Sequence, residues 1–303
     1  MRASVTIRVP GSTSNLGAGF DCIGVAVGRW LRLTARQARA STGPPVIIDR
    51  RGSLRGLSVA PEEDLLYRGF VAACRDDVPG PLMLQVESDI PVARGLGSSA
   101  AAAVAGAAAA NALLGLGLDQ AALVGLCSAL EGHPDNVAPA VHGGATLALR
   151  GQDGLVVTPL AMHESLALAF AIPDFAVETK RARAVLPATL PHGDAAAAAA
   201  KSAALVHGLA HADPRLLAAG LDDVLHVPFR RALVPGYDEV TAAACGAGAY
   251  GATLSGSGPT LVAIAPTERA AVVAEAMVQA WRARGITAEG FHAARPADGY
   301  QVA

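Results

Sequence analysis

The chain has 303 residues, 52% hydrophobic and 17% charged, a balance that places it among folded globular proteins and excludes a disordered or fibrous chain. Its 26 acidic and 24 basic side chains leave a net charge of −2, so no broad positive field exists to hold nucleic acid or an anionic membrane. Cys22, Cys74, Cys127 and Cys245 lie far apart without a CxxC pair, and the segment after Met1 lacks the apolar run of a signal peptide, which points to the reducing cytoplasm.

In chain order, Val5-Thr6-Ile7-Arg8-Val9 alternates and stops at Pro10, which predicts a strand leading into a small, polar loop from Gly11 to Asp21. Val25 to Thr34 reads as a second strand. Pro61-Glu62-Glu63-Asp64 opens a helix running to about Cys74, with proline and acids where a helix start favours them. Leu82 to Glu87 alternates as a strand, and the glycine-rich stretch Pro91-Val92-Ala93-Arg94-Gly95-Leu96-Gly97-Ser98-Ser99-Ala100-Ala101 follows it. Ser99 to Leu114 is an alanine-rich helix that breaks at Gly115-Leu116-Gly117, and Asp119 caps a second helix ending near Glu131-Gly132.

The short connection makes these two helices an antiparallel hairpin. At 1.5 Å per residue the first runs out ~24 Å and the second returns ~20 Å, so Glu131 comes back beside Ser98 and Ser99. The apolar stretch Ala100 to Leu118 has the length of a membrane span, but its alanine and glycine gain little from lipid, so it reads as a buried soluble helix.

In the second half, Leu166 to Pro173 resembles a buried strand, and helices are expected over Ala195 to His211 and Pro214 to Leu225. Ala249 to Leu254, Ser255-Gly256-Ser257-Gly258 and Pro259 to Ala265 read as strand, glycine turn, strand. A helix from Glu268 to Arg284 and a short strand end the chain. The expected fold is α+β and two-lobed, with mixed sheets and packed helices, one lobe over residues 1–150 and the other over 151–303.

Three chemical motifs fail on inspection. Lys201-Ser202 has the last pair of a Walker A loop, but Ala200 stands where glycine is required. Pro173-Asp174-Phe175-Ala176 is like part of a protein-kinase metal motif without the accompanying loops. His207 and His211 are four apart on a helix, but no glutamate between them and no third ligand completes a zinc site.

The segment from Pro91 to Ala101 does carry chemistry. Gly95 and Gly97 permit backbone angles and close approaches that side chains forbid, and Ser98 and Ser99 present hydroxyls and amides at the positive end of a helix, a cradle for polyphosphate. Glu131, returned by the hairpin, adds the carboxylate that Mg²⁺ takes alongside nucleotide phosphates, with Ser98 or Ser99 as a hydroxyl partner. In His133-Pro134-Asp135-Asn136 the proline forces an extended turn, so Asp135 is placed as a general base and Asn136 to orient a hydroxyl, or either caps the segment from Val137 onward.

These segments resemble the GHMP superfamily of small-molecule kinases: Pro91 to Ala101 resembles its phosphate loop, and Gly248 to Thr260 its third motif. Val9-Pro10-Gly11-Ser12-Thr13-Ser14-Asn15-Leu16-Gly17-Ala18-Gly19-Phe20-Asp21 and Glu131 to Ala140 are similar to the homoserine kinase family within it, and the likeness spans nearly the whole chain.

The resemblance implies transfer of the γ-phosphoryl of ATP to the side-chain hydroxyl of L-homoserine, in threonine biosynthesis, with Mg²⁺ and as a homodimer. It further implies that Asn15, Asp21 and Asn136 face the amino acid, Asp21 meeting its ammonium, and that Arg183 and Arg230 meet its carboxylate. Asp64 stands where the family commonly has an asparagine near the adenine, and Gly11 where it often has alanine. The family does not settle Asp135, whose counterpart is a base in mevalonate kinases and often held unnecessary in homoserine kinases. A GHMP kinase for another hydroxy compound is the alternative, and a catalytically silent sensor would be expected to have lost Glu131 or the two serines, which are present.

Overall fold

The computed structural model of the protein describes residues 3–37, 46–75, 77–78, 80–152 and 154–303. Its first half contains β1 (Ser4–Asn15), β2 (Gly19–Gln37), β3 (Val46–Gly52), α1 (Leu65–Ala73), β4 (Leu82–Ser88), α2 (Ser98–Leu114), α3 (Gln120–Glu131), α4 (Val137–His142) and β5 (Ala145–Gly151). There follow β6 (Gly154–Leu160), β7 (Leu166–Pro173), α5 (Thr179–Ala184), α6 (His192–His211), α7 (Pro214–Leu221), α8 (Val227–Arg230) and α9 (Tyr237–Gly246). The chain closes with β8 (Gly251–Leu254), β9 (Leu261–Pro266), α10 (Ala270–Arg282), β10 (Ala288–Ala293) and β11 (Gln301–Val302).

One sheet runs β11-β1-β2-β4-β3, with the β5–β6 hairpin attached to β2, and a second runs β10-β7-β9-β8. Among the described residues only β3 and β4 pair in parallel, and every other strand pairing is antiparallel. The first sheet therefore takes β6 and β11 from beyond residue 150.

The polar stretch expected to be a loop from Gly11 is instead the second half of β1. Pro10 sits at a register shift in the β1–β2 ladder, where a residue without an N–H is tolerated, and the strand continues to Asn15. Ser12, Thr13, Ser14 and Asn15 are buried, but their side chains are hydrogen-bonded within the protein, so their polarity does not mark solvent exposure. The expected helix to Leu225 also stops early, at Leu221, because Asp223 begins a new turn by capping α8.

Helix α2 explains the alanine run. It packs against β1, β2, α1, α3 and α4, so it has no solvent face, and small side chains let neighbours approach from all sides. The approach is closest at α1: a Cβ on Gly106 would lie 1.8 Å from the Leu66 carbonyl oxygen, and one on Gly69 would lie 2.2 Å from that of Ala103. Among the described residues no helix is long and apolar enough to cross a membrane.

The second sheet buries every residue of β7 and packs α9 and α10 around Trp281, whose indole N–H donates to the Pro235 carbonyl at 2.9 Å. Contacts from the turn between β8 and β9 join the two sheets. Ser255 Oγ donates to Gly95 O at 2.6 Å and lies 2.8 Å from Thr13 Oγ1, and Gly256 N donates to Ser14 O at 3.0 Å.

Candidate active site

Along this junction lies a cleft of about 520 Å³, floored by β1 and the segment 91–99, and walled by α1, the end of α3, Thr179, Arg183, Arg230 and the turn 256–257. A volume of this size suits a small-molecule ligand.

At its middle, the chain turns from β4 into α2 through Gly95 and Gly97, both left-handed with φ of 76° and 69°. The reason for glycine is partly different from the one read in the sequence. A Cβ on Gly97 would stand 2.1 Å from Ser12 Oγ, and one on Gly95 2.2 Å from the Ser255 carbonyl oxygen, so the loop must press against its own protein before any ligand arrives. Helix α2 then starts with no side-chain cap on Gly97, which leaves the N–H groups of its first turn open toward the cleft.

Three residues of the expected cradle are spent elsewhere. Arg94 donates to the carbonyls of Pro173 and Asp174, at 3.0 and 2.8 Å, and so ties the loop to the end of β7. Ala100 and Ala101 are fully buried in α2, and the Ala101 N–H is taken by Gly97 O. Ala102, one turn on, lines the cleft with Pro91 to Ser99.

Glu131 returns as the helix hairpin requires, and Ser99 Oγ donates to its Oε2 at 2.9 Å. Burial pushes the Glu131 carboxyl above the usual range, partly offset by the Ser99 hydrogen bond. Ser98 lines the same part of the cleft. Among the described residues no three His, Cys, Asp or Glu side chains gather into a metal cage, and the His207 and His211 rings, 4.3 Å apart, have no third partner.

Past Gly132, Asn136 is fixed by strand alternation. Ser12 and Ser14 lie on one face of β1; Ser12 Oγ donates to Asn136 Oδ1 at 2.8 Å, and Asn136 Nδ2 donates to Ser14 Oγ at 2.8 Å. Asp135, 2% exposed, is bonded through Oδ1 to His133 Nδ1 at 2.6 Å. Burial works against a charged His133, but the hydrogen bond and charge of Asp135 outweigh it and raise its pKa.

At the far end, Arg183 grips Asp21 through two hydrogen bonds, Nη1 to Oδ2 at 3.0 Å and Nη2 to Oδ1 at 2.8 Å. The two groups expected to face opposite ends of a ligand thus neutralise one another. Asn15 is committed to the protein: its Nδ2 donates to Gly256 O at 2.8 Å, and its Oδ1 accepts the Asp21 N–H at 2.9 Å, which supports the left-handed Asp21 backbone.

Arg230 is the outlier. It is 2% exposed, and among the described residues its guanidinium hydrogen-bonds only neutral acceptors: Ala182 O from Nε, and His226 Nδ1 and Gly256 O from Nη1. Burial, then the neighbouring Arg183, lowers its pKa to about 10. A buried cation lining a cleft without a carboxylate bonded to it has the electrostatics of an anion receptor.

The opposite end has an apolar lining of Leu54, Leu57, Val59, Leu65 and Val86, with the charged Arg50, Glu63, Asp64 and Arg68 around it. Asp64 caps α1 by accepting the Leu66 N–H at 2.8 Å and pairs with Arg50. Ser12, Ser14, Arg50 and His226 were not singled out from the sequence as site residues. Period-two alternation within 12–14 was a usable signal for the serines, whereas Arg50 reaches the cleft, and the fully buried His226 reaches Arg230 behind it, only through tertiary folding.

The family models for the N-terminal and C-terminal domains of GHMP kinases match residues 64–144 and 205–283. A homoserine kinase of Trichormus variabilis is 44% identical over 288 residues, 94% of each chain. The chain belongs to the homoserine kinase family of GHMP kinases. A crystal structure of homoserine kinase from Cytophaga hutchinsonii is 30% identical and superposes with a TM-score of 0.88 over 100% of this chain and 98% of the other. The GHMP fold extends further: L. major mevalonate kinase, crystallised with R-mevalonate, has a TM-score of 0.70 at 18% identity, covering 96% of both chains. In homoserine kinase terms, Asp21, Arg183 and Arg230 cluster at one end of the cleft, and the glycine loop with Glu131 occupies its middle.

Proposed function

We propose that the protein transfers the γ-phosphoryl group of ATP to the side-chain hydroxyl of L-homoserine, yielding ADP and O-phospho-L-homoserine for threonine biosynthesis. The homoserine kinase relatives support the substrate, and one observation carries it physically: buried, carboxylate-free Arg230 stands beside the Asp21–Arg183 pair. A zwitterionic amino acid answers both features. Its carboxylate supplies the anion that Arg230 lacks, and its ammonium replaces Arg183 on Asp21 while the carboxylate engages the released Arg183. Only the hydroxyl end is then left to face the phosphate loop.

The adenine belongs in the apolar end beside Asp64, and the polyphosphate at the start of α2, where the amides of Ser98 and Ser99 and the dipole of a 17-residue helix favour negative charge. Glu131 and the hydroxyl of Ser99 or Ser98 form a hard-oxygen donor set that fits Mg²⁺ shared with phosphates. When bound there, the ion would neutralise charge building on the phosphate oxygens.

Asn136, locked between Ser12 and Ser14, orients the hydroxyl. Asp135 is engaged by His133 and acts by balancing charge, since phosphoryl transfer depends mainly on alignment and charge neutralisation.

A coupled ADP-release assay over homoserine, serine, mevalonate, shikimate and galactose tests the reading. Homoserine should give the highest kcat/KM; a sugar or mevalonate in first place would refute it.

A further inference from the structure

Arg230 has a support that neither the sequence motifs nor the expected chemistry accounts for. His226, four residues earlier at the start of α8, is completely buried. Its Nε2 lies 3.1 Å from the carbonyl of Gly17, which can only accept, so Nε2 carries the proton and Nδ1 is left bare. That bare nitrogen lies 3.3 Å from Arg230 Nη1 and accepts from it.

The surroundings hold this arrangement in place. Asp223 accepts the backbone N–H groups of Leu225, His226 and Val227, which fixes the backbone from which both side chains project. With its carboxylate so occupied, Asp223 does not take the imidazole proton, although it lies 3.7 Å from Nε2. Burial, with the charge of Arg230 also contributing, pushes the His226 pKa down to about 4, so the ring is a neutral acceptor. Phe20 stacks on the imidazole at 4.9 Å and presents its face to Arg230 Cζ at 5.2 Å and to Arg183 Cζ at 6.0 Å.

We propose that His226 is a positioning residue for substrate: by accepting from Nη1 and stacking on Phe20, it holds the Arg230 guanidinium so that Nη2 is presented to the substrate carboxylate. Nε faces Ala182 O and Nη1 is shared between His226 and Gly256 O, so Nη2 is the corner with no protein hydrogen bond among the described residues. The proposal rests on the amino-acid reading of the cleft given above.

Two substitutions separate positioning from mere packing. His226→Asn puts an acceptor oxygen near the place of Nδ1, and His226→Gln puts a donor nitrogen near the place of Nε2. If His226 acts through Arg230, His226→Gln raises the homoserine KM about tenfold or more while the ATP KM stays put, and His226→Asn recovers most of that loss.

A role confined to holding Gly17 gives the reverse: Gln retains the homoserine KM and melting temperature while Asn loses them. Arg230→Leu, alone and combined with His226→Gln, completes the set. The single variant should raise the homoserine KM by about a hundredfold or more, and the added Gln should change it no further. A normal homoserine KM in Arg230→Leu removes the amino-acid reading itself. A raised KM in Arg230→Leu, with His226→Gln indistinguishable from wild type or with independent losses in the double variant, overturns the positioning role alone.

Discussion

Under the proposed function Glu131 has two tasks that conflict: it must be sheltered enough to meet polyphosphate away from bulk water, yet charged enough to hold a cation. Burial has already moved its carboxyl above the ordinary value of 4.5, so binding a divalent cation there must expel whatever proton it carries. The sign is then fixed. Lowering the pH protonates Glu131 sooner than a free glutamate, and the Mg²⁺ concentration for half-maximal rate should therefore rise on acidification before pH reaches 4.5.

Glu131→Gln keeps the volume and the possibility of a Ser99 hydrogen bond but loses the charge. It should need at least about tenfold more Mg²⁺, and the acid-side rise should vanish. A Mg²⁺ titration like that of wild type at every pH would take Glu131 out of the metal site.

Among the elements, α2 carries most of the design, and its glycines divide by purpose. Gly106 exists for packing against the backbone of α1, far along the helix from the phosphate loop; Gly97 exists for the turn and for the Ser12–Asn136 contact beneath it. Gly106→Ala should therefore lower the melting temperature, costing about 1–3 kcal/mol from overpacking against the Leu66 carbonyl, and should lower kcat less than Gly97→Ala does. Gly97→Ala should raise the ATP KM and lower kcat together, because its Cβ strikes Ser12 and displaces Asn136. Thermal melts paired with ATP kinetics check both, and an unchanged melting temperature in Gly106→Ala or normal kinetics in Gly97→Ala would contradict the assignment.

The α2–α3 hairpin was legible because each signal was local: an alanine run, glycine stops at 115 and 132, and an Asp119 cap that accepts the Ala122 N–H. Rise per residue alone then brought Glu131 to Ser99. β1 was misread past Pro10 because polarity was equated with exposure, whereas Ser12, Thr13 and Ser14 find their partners on residues more than a hundred positions away. In Asp223-His226-Arg230 the cap and the four-residue spacing are local, but their role was not legible, since His226 acquires its meaning from Gly17, and Arg230 from Ala182 and Gly256.

For the whole molecule, the cleft lies where the two sheets meet, a junction in which Leu168, Phe170 and Val262 of the second sheet share one buried apolar cluster with Val25 and Leu31 of the first and polar contacts close the rim. Thr13, Ser14, Gly95 and Arg94 on one side engage Ser255, Gly256, Pro173 and Asp174 on the other. The glycine loop at 95–97 comes from the first half of the chain, and Arg183 and Arg230 from the second, so in the proposed function the distance between phosphate donor and amino-acid clamp is set by how the halves join. That division explains why the family motifs in the sequence pointed to the right reaction class without exposing the ion pair that Asp21 and Arg183 make with each other.

Under the proposed function the cleft must recognise an amino acid by both of its charges. The deciding quantity is the ratio of kcat/KM for L-homoserine to that for 4-hydroxybutyrate, which lacks the ammonium, in wild type and in Asp21→Asn. Recognition of both charges requires a wild-type ratio of about a hundred or more, since a carboxylate that must draw Arg183 away from Asp21 has no ammonium to replace it in the deaminated ligand, and a collapse of that ratio toward unity in Asp21→Asn. The same ratio in both proteins would contradict it.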